Sequence, residues 1–85
     1  MTPLQQTLKQ IALDVNSQAT LKESADFERN FSDIGIDSLE AMSLMLTVTE
    51  HFDIKIPDAE IDQVKTMNEL AALVERELTK LGRRP

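Results

Sequence analysis

The chain repeats the 3.6-residue period of an amphipathic helix in three separate segments, which commits most of its length to helix. In the first, Thr2 can cap, Pro3 takes the first helical position and Gln5 completes a capping-box pattern. Leu4, Leu8, Ile11 and Val15 then share one face, and the pattern ends at Asn16 and Ser17. The last segment opens on a second capping box, Thr66 with Glu69, followed by Met67, Leu70, Ala71, Val74, Leu78 and Leu81 on one face. Gly82 is a natural stop.

The middle helix, from about Ser38 to His51, carries two apolar stripes. Ala41, Leu44, Met45, Val48 and Phe52 lie on one face, and Leu39, Met42 and Leu46 lie well around the helix from them. One stripe is enough to pack a helix into a small bundle. A chain of 85 residues with 41% apolar residues can hardly wrap both sides, so the second stripe is expected to be an exposed patch awaiting a partner.

Residues 17–37 have no sustained period. Phe27, Phe31 and Ile34 are expected to pin this long loop over the core, and an ordered loop of such length is more often functional than accidental. Ile54 and Ile56 precede Pro57, which permits one short helical turn with Ile61 and Val64 pointing inward. The expected fold is a small all-α four-helix bundle, three helices longer and one short, forming a single domain over residues 1–85.

Charge and composition remove several functions. The net charge is −6, and ten acids between Asp26 and Asp62 face only Arg29 and Lys55, whereas Lys80, Arg83 and Arg84 make the ending basic. An acidic middle repels a phosphate backbone, so nucleic acid is not an expected partner; a basic patch on another protein is. Three Phe without Trp or Tyr make no platform for stacking bases. No cysteine is present, so any thiol chemistry needs a sulfur brought from outside. The opening residues lack a basic region followed by an apolar block, and no run is long enough to span a bilayer, so a cytoplasmic monomer is expected.

Catalytic patterns are equally poor. The only histidine, His51, lies thirteen residues along the helix that begins at Ser38. That separates them by roughly 20 Å, far beyond proton transfer. Ser38 stands in Gly-Ile-Asp-Ser-Leu rather than a nucleophile elbow, and Asp33, Asp37 and Glu40 lack the alternate spacing of a calcium loop. Taken as a pair, Asp37 and Ser38 read first as a helix cap.

The wider run changes that reading. Phe31-Ser32-Asp33-Ile34-Gly35-Ile36-Asp37-Ser38-Leu39 resembles the attachment motif of acyl carrier proteins. The likeness continues at His51-Phe52-Asp53-Ile54-Lys55-Ile56-Pro57-Asp58 and at Lys65-Thr66-Met67, covering about residues 4–80. The resemblance implies a carrier rather than an enzyme, with 4′-phosphopantetheine from coenzyme A esterified to Ser38 and acyl groups held on its thiol. It implies a phosphopantetheinyl transferase and acyl-loading, ketosynthase or acyltransferase-type enzymes as partners. Leu39, Met42 and Leu46 are the expected docking stripe, with Asp37, Glu40 and Glu50 meeting basic residues of those partners.

Ser43, Thr47, Thr49 and His51 stand where carriers of primary fatty-acid synthesis often place acids, which points to a specialised pathway such as polyketide or modified-lipid synthesis. A peptidyl carrier is the second reading. An unmodified helical adaptor that binds a partner helix through the same stripe is the third.

Overall fold

The computed structural model describes residues 1–83, so Arg84 of the expected basic ending lies outside the described residues. Among the described residues four α-helices follow one another: α1 (Pro3–Val15), α2 (Ser38–Phe52), α3 (Asp58–Ile61) and α4 (Met67–Lys80). Among the described residues no strand forms, and one isolated bridge pairs Asn30 with Thr66. The expected architecture of three longer helices and one short helix is the observed one.

Local chemistry accounts for the helix ends. Thr2 accepts a hydrogen bond from the Gln5 amide while the Gln5 side chain accepts from the Thr2 amide, closing the first capping box. At α4 the Thr66 hydroxyl accepts from the Glu69 amide at 3.0 Å, but the Glu69 carboxylate accepts from the Lys65 amide, one residue before the cap. The second box is therefore half formed. α4 closes on Gly82 at φ 69°, with Arg83 N–H donating to the Leu78 carbonyl at 2.8 Å and Gly82 N–H to that of Thr79 at 3.0 Å. These two bonds satisfy carbonyls that the helix itself leaves free.

α1 packs against α2 and α4, burying Leu4, Leu8, Ile11 and Ala12 of α1 with Leu44, Met45 and Val48 of α2. α4 contributes Met67, Leu70, Ala71, Leu73, Val74 and Leu78. Val64 is buried, while Ile61 is half-buried against the same core. Leu81, expected on the inner face of the last helix, is instead 57% exposed. α4 ends at Lys80, and Leu81 occupies the cap at φ −88°, ψ 0°, so the helical period no longer aims its side chain.

The long loop is more regular than its sequence suggests. It contains two 3₁₀ helices, Ser24–Glu28 and Phe31–Ile34, and buries Ala19, Leu21 and Ile36 besides the three anticipated plugs. Asp26 holds the first of these together. Its Oδ2 accepts from the amides of Lys22 (2.9 Å) and Glu23 (3.0 Å), and its Oδ1 meets Arg29 Nη1 at 3.4 Å. The Glu23 and Lys22 amides, helped by Arg29, hold the Asp26 carboxyl below the usual carboxylate range despite its partial burial. Arg29 also donates to the Asp33 carbonyl, and Phe31 N–H to that of Lys65 at 2.9 Å. The loop is thereby tied to the entry of α4 and delivered to the start of α2.

Candidate functional site

α2 begins with a reciprocal cap made of two acids. Asp37 Oδ1 accepts from the Glu40 amide at 2.8 Å, and Glu40 Oε1 accepts from the Asp37 amide at 3.0 Å. An acid at each position complements the positive end of the helix dipole. Both residues were expected to face partner enzymes; one oxygen of each is committed to the cap, and Glu40 Oε1 also accepts from Asn16 Nδ2 at 3.3 Å. Glu50, the third expected docking acid, is exposed near the far end of the helix.

Ser38 is the first residue of α2 and is exposed. Its amide and that of Leu39 belong to the first turn, where an α-helix supplies no acceptor. The 3₁₀ helix Phe31–Ile34 ends on Gly35 at φ 90°. No atom lies within 4 Å of where a Cβ would stand, so this glycine is needed for its backbone angle rather than for space. Ile36 is then buried, and the chain emerges at Asp37 and Ser38.

Two hollows flank α2. The first, about 440 Å³, adjoins Ser38 and runs between Ala41, Met42 and Met45 of α2, the Asn30–Ser32 stretch, and Ile61, Asp62, Val64 and Lys65. The second, about 660 Å³, lies along Leu39, Met42 and Leu46 and is walled by Ile54, Ile56 and Ile61. Leu39, Met42 and Leu46 are 77%, 64% and 61% exposed, so the second stripe is the open face that the sequence leads one to expect. The Thr47 hydroxyl donates to the Ser43 carbonyl and that of Thr49 to the Leu46 carbonyl, which turns both hydroxyls back onto the helix. His51 is exposed and packs edge-to-face on Phe52, with ring centroids 4.8 Å apart.

Among the described residues no group of three acids or histidines is arranged to hold a metal ion, and no helix is long and apolar enough to cross a membrane. Asn16, which the sequence marks only as the end of the first helix, bridges the end of α1 to the Gly35–Glu40 segment through its side chain.

The described residues thus form a helical bundle with an exposed serine at a capped helix start. Residues 6–74 match the family model described as the phosphopantetheine attachment site. The acyl carrier protein of Exiguobacterium sp. is 32% identical over 78 residues, covering 85% of this chain and 99% of that one. That of Helicobacter hepaticus is 31% identical over 68 residues, covering 80% and 82%. The chain belongs to the acyl carrier protein family.

Members of this family are carriers rather than enzymes, and the group they hold is covalent 4′-phosphopantetheine. The chloroplastic acyl carrier protein SF2 of Brassica campestris is 31% identical over 78 residues. The chain covers only 58% of that relative's length, and 54% of two chloroplastic relatives from Brassica napus. The solution structure of holo acyl carrier protein from Geobacter metallireducens superposes with a TM-score of 0.77 at 28% identity, covering 99% of this chain and 97% of that one. The crystal structure of an acyl carrier protein from Thermotoga maritima gives 0.76 at 20% identity over 93% and 95%, a likeness of fold.

Proposed function

We propose that Ser38 carries the 4′-phosphopantetheine arm and that residues 1–85 act as one acyl-carrying unit. The observation that supports this most directly is the exposure of Ser38 at the first position of α2, within the run that resembles the attachment motif. The residues present fit the group. A phosphodiester on Ser38 belongs to the turn whose free amides and helix dipole favour an anion, although Asp37 and Glu40 offset part of that gain. The adjoining hollow mixes Ala41, Met42, Ile61 and Val64 with Asn30, Asp62 and Lys65, which suits an arm that is part amide and part hydrocarbon. When attached, the arm supplies a terminal thiol on which acyl groups are held as thioesters. The chain needs no base of its own beside Ser38, because a separate transferase supplies base and magnesium.

Leu39, Met42 and Leu46 form the docking stripe for the transferase and for acyl-loading, ketosynthase or acyltransferase-type partners. With Thr47 and Thr49 hydroxyls folded onto the backbone and Glu40 engaged in the cap, α2 offers these partners an apolar face with Glu50 as its outlying acid. That supports a dedicated carrier of a specialised pathway, polyketide-like or modified-lipid, working in the cytoplasm. Efficient turnover by a housekeeping fatty-acid synthase in a reconstituted assay contradicts this finer reading.

The attachment itself is tested by intact mass after incubation with coenzyme A, magnesium and a broad-specificity phosphopantetheinyl transferase. The parent is expected to gain one phosphopantetheine and Ser38→Ala none. A folded parent that gains nothing from several transferases, or a Ser38→Ala protein that gains as much, refutes it.

A further inference from the structure

We propose that Asn16 is a positioning residue for the arm: its side-chain amide fixes both ends of the short segment that presents Ser38. This rests on the reading of Ser38 as the attachment residue. Ser38 is exposed, and no hydrogen bond to its hydroxyl forms among the described residues, so its place is inherited from its neighbours in the chain. Asn16 Nδ2 donates to the Gly35 carbonyl at 2.8 Å, three residues before the serine, and to Glu40 Oε1 at 3.3 Å, two residues after it. The same Glu40 oxygen closes the cap on the Asp37 amide. One amide group thus secures the glycine turn that enters the helix and the acid that closes its first turn.

Asn16 is itself well placed to act as a fixed point. It caps α1, its backbone N–H donating to the Ala12 carbonyl at 2.9 Å, and its Oδ1 accepts from the Gln18 amide at 2.9 Å. The orientation of the side chain is dictated by its partners, since an amide N–H requires the oxygen and a carbonyl and a carboxylate require the nitrogen. A rigid helix end therefore reaches across 19 and 24 residues of sequence to hold the attachment segment. Transfer onto a hydroxyl depends steeply on where that hydroxyl is held, and displacements of an ångström are costly.

The test is steady-state transfer of phosphopantetheine from coenzyme A to the full chain, comparing the parent, Asn16→Ala and Asn16→Asp. The temperature is one at which far-UV circular dichroism shows all three folded. Asn16→Asp retains the oxygen that receives the Gln18 amide but sets a carboxylate oxygen against the Gly35 carbonyl and the Glu40 carboxylate, whereas Asn16→Ala removes the donor without adding charge, so a loss shared by both variants is assigned to the missing donor. Both variants are expected to lose about tenfold in kcat, with KM for the carrier nearly unchanged. Parent-like kcat in Asn16→Asp overturns the proposal, as does a loss confined to KM, which makes Asn16 a docking contact instead. If the parent takes no arm, the assignment of Ser38 fails and this inference falls with it. A modified parent with indifferent variants removes only the role of Asn16.

Discussion

The two faces of α2 are built from nearly the same side chains and meet opposite fates. Leu44, Met45 and Val48 are fully or almost fully buried, whereas Leu39, Met42 and Leu46 stand 61–77% exposed. Composition does not distinguish them; the difference is which side of α2 meets α1 and the rest of the core. The inner stripe holds the bundle together, and the outer stripe is apolar surface kept open beside the serine at the helix start. An exposed apolar stripe raises the risk of non-specific association, so its persistence next to Ser38 is an argument for use rather than stability.

Substitutions two residues apart break this comparison most directly. Leu44→Ala is expected to destabilise the fold by about 2–5 kcal/mol, because it opens a cavity where the parent side chain is wholly buried. Chemical denaturation followed by circular dichroism measures this, and a loss below about 1 kcal/mol denies Leu44 its place in the core. Asp37→Ala is next, at about 1 kcal/mol, since the cap closes one end of the helix and packs neither face. The same unfolding assay reads it, and an unaltered midpoint means that the cap is dispensable. Leu46→Ala comes last, within about 0.5 kcal/mol of the parent, while slowing acyl transfer by a cognate partner enzyme. Equal stability with undiminished transfer leaves the outer stripe without a docking role.

Much of the scaffold is legible residue by residue. The face containing Leu4, Leu8 and Ile11, the inner stripe of α2 and the stop at Gly82 depend on contacts within a turn or two of the chain, which a 3.6-residue period records directly. The 3₁₀ helices at Ser24–Glu28 and Phe31–Ile34 are five and four residues long, too short to establish any period. Leu81 continues the face of the last helix in sequence, yet the helix has already ended before it. Near the serine, Asp37 reads in the sequence as a cap, but the bond that Glu40 accepts from the Asp37 amide does not show there, because Glu40 reads equally well as a surface acid.

The sequence by itself determined the helices, most of their caps and the placing of Ser38 at a helix start, since each depends on neighbours no more than a few residues away. Only the tertiary structure decided which hollow adjoins the serine and how Ile54, Ile56 and Ile61 wall the outer stripe of α2. It also decided that Asn16, at the end of another helix, reaches Gly35 and Glu40. Those contacts join residues far apart in the chain, and no local period or spacing encodes the distance at which they meet.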